Sequence, residues 1–147
     1  MRKFTLGIHI DRPQADVFKF LSDPANLSKW NSVMESAEWT SRDAAGAGST
    51  SKVVAKMPGG KKTGLFAITQ WDPPHRYGYR SLEIAFPFKA IESTITLAPR
   101  DGGTQVTFEA QFALTGLLSL VEGLFVGAAE KGDGANLATA KRLLEEG

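Results

Sequence analysis

Cysteine is absent from this 147-residue chain. Disulfide scaffolds, thiolate metal sites and cysteine nucleophiles are excluded with it, and a reducing, cytoplasmic setting is the expected one. Histidine is scarce: His9 falls on the polar phase of an alternating segment, and His75 follows a Pro-Pro turn. Neither has a carboxylate or a second histidine at ligand spacing, so no metal and no cofactor are expected. The patterns G-x-S-x-G, H-E-x-x-H and the phosphate-binding P-loop do not occur. Charge of one sign is lacking as well, since 17 Lys and Arg stand against 16 Asp and Glu. A protein that neutralises phosphates needs a basic face, so no nucleic-acid partner is expected. The local cluster Lys61-Lys62 reads as a solvated hairpin tip. Finally, the longest apolar stretch, Leu117 to Ala129, carries Glu122 and falls short of the roughly 20 residues that span a bilayer. The N-terminal apolar segment is cut short by Asp11 and Arg12, so neither a signal peptide nor stable membrane insertion is expected.

What is present is the length of about one domain, taken as 1–147, with alternation suited to strands. Phe4, Leu6, Ile8 and Ile10 alternate with smaller or polar residues, the period of a strand with one buried face. Pro13 sits where a first helical turn accepts it, and Val17, Phe18 and Leu21 form the stripe of a short helix. A second short helix is expected over Ala25 to Trp30, and a strand over Val33 to Trp39. The small polar stretch Ser41 to Gly48 reads as a loop. Strands then follow at hairpin spacing: Ser49–Met57, Thr63–Trp71, Arg76–Glu83, Phe88–Ala98 and Thr104–Leu114. Their punctuation is Pro58-Gly59-Gly60, Asp72-Pro73-Pro74 and Asp101-Gly102-Gly103. In Thr63–Trp71 both phases carry large residues, so the pattern does not assign an inward face to Phe66 or Trp71.

From Gly116 the period changes. Leu117, Leu120, Val121, Leu124 and Ala128 recur at three and four, and Leu137, Ala140 and Leu144 do so again. Between them Gly123, Gly127, Gly132 and Gly134 cost about 3–4 kcal/mol of helix propensity relative to alanine. One continuous helix with a weak or bent middle is favoured over two helices, and packing must hold it. The order of elements shows no β-α-β alternation and no repeat, which excludes a parallel nucleotide-binding sheet.

This order carries the segments Ile10-Asp11-Arg12-Pro13-Gln14-Ala15-Asp16-Val17-Phe18 and Asp23-Pro24-Ala25-Asn26-Leu27-Ser28-Lys29-Trp30. Gln70-Trp71-Asp72-Pro73-Pro74-His75-Arg76-Tyr77 and the closing Ala140-Lys141-Arg142-Leu143-Leu144-Glu145 continue the match. Together they resemble the START-like, helix-grip (SRPBCC) superfamily, which includes Bet v 1-type allergens and the polyketide cyclase/dehydrase and lipid-transport family. The resemblance implies an α+β fold: a curved seven-stranded antiparallel sheet wrapped around a long C-terminal helix, with two short helices after the first strand. It also implies a hydrophobic cavity between sheet and helix.

The residues expected to line that cavity are Trp30, Met34, Phe66, Tyr79, Phe88, Phe112, Leu117, Val121 and Leu124. Each aromatic has an ordinary role in a core of this size. As a set facing a helix of small residues (Gly123, Gly127, Ala128), they leave volume that large side chains would fill. Tyr79 and Arg80 are adjacent in a strand and point to opposite faces, and Tyr79 is expected inward as an amphipathic wall. Glu83 and Glu122, with Tyr79, are the acid–base candidates, though no convincing pair is visible. Binding or transport of a small hydrophobic molecule (lipid, polyketide or isoprenoid-like) is the favoured expectation, by a monomer or a homodimer. A metal-free cyclase or dehydratase is the alternative, and an interaction protein with a collapsed cavity is the third.

Overall fold

The chain leaves its first strand at one edge of a sheet and must reach the opposite edge before the hairpins can begin. In the computed structural model, which describes all residues except 43, 44 and 58, the strands are β1 (Arg2–Ile10), β2 (Met34–Trp39), β3 (Thr50–Met57), β4 (Gly60–Asp72), β5 (Arg76–Glu83), β6 (Phe88–Arg100) and β7 (Gly103–Leu114). Their order is β1-β7-β6-β5-β4-β3-β2, with every neighbouring pair antiparallel. The crossing from β1 to β2 is made by α1 (Gln14–Ser22), a 3-10 turn (Pro24–Asn26) and α2 (Leu27–Trp30). Pro13 precedes α1, and the Asp23 side chain accepts from the Ala25 N–H to open the next turn. Another 3-10 segment (Gly116–Val121) then leads into α3 (Glu122–Glu146). This is the helix-grip arrangement. Pro58 of the expected Pro58-Gly59-Gly60 turn, and Asp43 and Ala44 of the expected loop, lie outside the described residues.

Two local features fix the register. Asp101 and Gly102 both take positive φ (48° and 78°), the two-residue turn whose twist matches a β-hairpin, and this seats β6 on β7. Gly103 follows where a Cβ would stand 2.5 Å from the Ile10 carbonyl, so backbone approaches backbone beneath the first strand. In β4 the pairing with β5 shifts between Ile68 and Gln70. One residue out of step returns Trp71 to the face of Phe66 and Ile68, where it packs edge-on to Phe18, with centroids 5.2 Å apart. That bulge is why simple alternation assigns no inward face here.

The core joins α1 and the C-terminal half of α3 to the β1–β7–β6 face. Ile10, Val17, Val106 and Ala140 are wholly buried, with Leu97, Leu114, Leu137 and Leu144 nearly so. Each buried leucine contributes about 1.5–3 kcal/mol. Polar ties fix α3 to the end of β1: the Glu145 carboxylate accepts from the Asp11 N–H at 2.8 Å, and Lys141 Nζ donates to the His9 carbonyl at 2.6 Å. The Arg12 guanidinium donates to the Leu144 carbonyl at 2.7 Å.

α3 is one continuous helix, glycines included. The 3-10 segment before it and its own first turn are rotated away from the expected orientation. Leu117, Leu120 and Leu124 are 85%, 80% and 78% exposed, and Val121 is also exposed. The Glu122 carboxylate accepts from the Leu114 N–H at 2.7 Å, turning this residue toward β7. Counting back from Leu137 at helical spacing gives Asp133, Ala129, Val126, Glu122 and Leu118, and these face inward to varying degrees. The most apolar stripe of the sequence is therefore the outer one.

Candidate functional site

Where α3 stands off the β2–β5 part of the sheet, the inner face is left uncovered and a cavity of about 480 Å³ remains. Its walls come from alternating inward positions. Phe66 and Ile68 of β4, Tyr77 and Tyr79 of β5, and Phe108, Ala110 and Phe112 of β7 all line it. Trp30 and Met34 close it from the α2 side, and Ala128, Ala129, Gly132 and Asp133 from α3. Aromatic contacts stiffen the walls: Phe66 meets Tyr79 at 5.8 Å and Phe88 meets Phe112 at 6.1 Å, both edge-to-face.

Of the residues expected to line the cavity, Trp30, Met34, Phe66, Tyr79, Phe88 and Phe112 do so. Leu117, Val121 and Leu124 do not; their expected place on the wall is corrected by the rotation described above. Arg80 is exposed, on the opposite face from Tyr79. Glu83 is exposed at the end of β5, and Glu122 is committed to the Leu114 amide, so neither reaches the cavity. His9 donates to the Arg100 carbonyl at 2.9 Å, and His75 Nδ1 accepts from the Gln14 amide at 3.1 Å; both are remote from the walls. Among the described residues, no three His, Asp or Glu side chains gather closely enough to hold a metal ion.

Among the polar side chains on the walls are Tyr79, Ser93, Asp133 and Asn136. Tyr79 pairs in register with Ser93 across β5 and β6, so both side chains share the inner face. Burial pushes the Tyr79 hydroxyl up to about 12; the Ser93 hydrogen bond acts against this, and the Asp133 carboxylate adds to it. Tyr77, wholly enclosed, is also raised, by burial first and by Tyr79 second. Asp133 was missed in the sequence, where Lys131-Gly132-Asp133-Gly134 reads only as an interruption. Burial pushes its carboxyl up to about 6, against a hydrogen bond from Asn136 that favours the ionised form. Asn136 is itself buried, and its carbonyl oxygen accepts from the Ser32 N–H at 3.1 Å, tying α3 to the turn after α2. A neutral phenol and a carboxyl titrating near 6 thus face one apolar chamber.

Seven antiparallel strands, a long C-terminal helix and a chamber between them define the helix-grip class. The chain belongs to the polyketide cyclase/dehydrase and lipid-transport family, whose model matches residues 1–145. Solved structures agree on the fold. TTHA0849 from Thermus thermophilus is 23% identical, with 97% of each chain covered and a TM-score of 0.81. The Zhui aromatase/cyclase from a Streptomyces species is 16% identical, covering 98% of this chain and 93% of its own, with a TM-score of 0.83. Ara h 8.0201 is 19% identical over 99% of both chains, with a TM-score of 0.76. No curated protein sequence matches.

Proposed function

We propose that this protein binds or carries one small hydrophobic molecule in the chamber between sheet and α3. The observation that carries the reading is the chamber itself: about 480 Å³, walled largely by aromatic and aliphatic side chains, with polar groups such as Tyr79, Ser93 and Asp133 among them. That combination suits a ligand whose body is held by shape and whose polar end is oriented by a few groups. A lipid, a polyketide or an isoprenoid-like molecule has the right character. The volume counts against a collapsed cavity. Native mass spectrometry of protein purified from its own host tests the reading, with a retained apolar molecule expected. Ligand-free protein that also gives no thermal shift with lipid and polyketide panels contradicts it.

A second reading, a metal-free cyclase or dehydratase, is favoured by one observation. Tyr79 and Asp133 are electrostatically coupled in the chamber, and a carboxyl titrating near 6 is suited to moving protons at neutral pH. The Zhui aromatase/cyclase has the same fold, which supports this reading only by analogy.

A further inference from the structure

The inference rests on the binding reading above and concerns the charge of the ligand's polar end. Asp133 lines the chamber from α3, yet among the described residues its carboxylate forms no ion pair. The groups that act on it are the surrounding burial and the Asn136 amide, neither of which supplies a positive charge. A half-buried carboxylate held by one amide is an incomplete arrangement, since such a group is ordinarily paired. Tyr79, Phe66 and Tyr77 line the same chamber from the sheet side. The faces of such rings attract a cation.

We propose that the chamber selects a ligand whose polar end is a protonated amine, seated on the Asp133 carboxylate beside the Tyr79 hydroxyl, with its apolar body against the aromatic walls. The ammonium donates to Asp133 and to the Tyr79 oxygen, and neutralises the charge that burial opposes. A neutral hydroxyl satisfies the hydrogen bonds but leaves the charge uncompensated. A carboxylate end meets Asp133 as a like charge and is rejected. The other titratable side chains on the walls are Asp23, Lys62, Tyr77 and Tyr79. Asp23 is engaged with the Ala25 N–H and Lys62 is exposed on β4. The two tyrosines stay neutral, because burial raises both. Ionisation of Asp133 therefore governs the preference.

The test uses three probes with one aromatic body: naphthylethylamine, naphthylethanol and naphthylacetate, each titrated calorimetrically. At about pH 7.5 the amine is expected to bind about tenfold more tightly than the alcohol, and the acetate more weakly than either. Asp133→Asn should bring amine and alcohol to within about twofold of each other, with the amine weakened far more than the alcohol. In the wild type, lowering the pH from about 7.5 to about 5 should weaken the amine about tenfold and leave the alcohol flat, because Asp133 protonates near 6. This arm stands even where the variant fails to fold. Equal affinities of amine and alcohol, a preference that survives Asp133→Asn, or a flat amine profile would overturn the head-group assignment. Binding of the alcohol with no amine preference leaves the chamber as a binding site and removes only this inference. Failure of all three probes removes both.

Discussion

Tyr79 on β5 and Asp133 on α3 line the same chamber, where burial first and the Asp133 carboxylate after it raise the proton affinity of the Tyr79 hydroxyl. An acid and a phenol thus share one largely apolar surface, where each has a different consequence for stability and binding.

Asp133 makes the unliganded protein less stable as pH rises. Between the ordinary aspartate value of 3.8 and about 6, the folded protein holds a proton that the unfolded chain has released. Stability from this group is thus present below 3.8 and is lost as pH climbs through about 6, by at most about 3 kcal/mol. Asp133→Asn should therefore gain stability over wild type as pH rises from about 4 to about 7, with a constant difference above that. Urea unfolding of both proteins across this range measures it, and a pH-independent difference contradicts it.

Tyr79→Phe removes a hydroxyl while keeping the wall and its contact with Phe66. Under the binding reading, naphthylethanol should weaken about three- to tenfold, the worth of one hydrogen bond, with near-ultraviolet circular dichroism unchanged. Under the enzyme reading the same variant abolishes turnover of a polyketide substrate. Unchanged turnover removes Tyr79 from that chemistry.

The outward rotation of the 3-10 segment leading into α3 separates leucines that look alike in the sequence. Leu120→Ser should alter unfolding free energy by less than about 0.5 kcal/mol, because the side chain is 80% exposed. Leu137→Ala, in the core, should cost about 2–5 kcal/mol. Comparable losses at the two positions, read by denaturant unfolding, would place Leu120 inside.

Glu122 holds the start of α3 to the end of β7. Glu122→Ala leaves the Leu114 N–H without its carboxylate acceptor, at a cost of about 1–3 kcal/mol. Hydrogen exchange should show faster exchange of the Leu114 amide in particular; an unchanged Leu114 rate would show that this contact does not hold the junction.

Much of this was legible in the sequence. Alternation in β1, β6 and β7 exposes one buried face, and Asp101-Gly102 marks the hairpin between the last two strands. The hairpin order gives the antiparallel sheet. Two things were hidden for physical reasons. In β4 a bulge resets the phase, so Phe66 and Trp71 share a face despite their odd spacing. Across the 3-10 segment and the start of α3 the apolar stripe Leu117–Leu120–Leu124 dominates the periodicity but faces outward, while Glu122 turns to the Leu114 amide. The signal that would have found Asp133 was available: stepping back from Leu137 by four residues lands on it. A carboxylate on that stripe, unlike a leucine on it, is a departure from the core pattern.

On the binding reading the chamber, and not the exposed leucine face, holds the ligand. Titration with the neutral fluorophore N-phenylnaphthylamine tests it, comparing wild type with Ala110→Trp, which fills the chamber from β7. One probe should bind per wild-type chain, with about tenfold or greater loss of affinity in Ala110→Trp, while Leu120→Ser binds as wild type does. Undiminished binding by a folded Ala110→Trp protein, together with loss in Leu120→Ser, would contradict it.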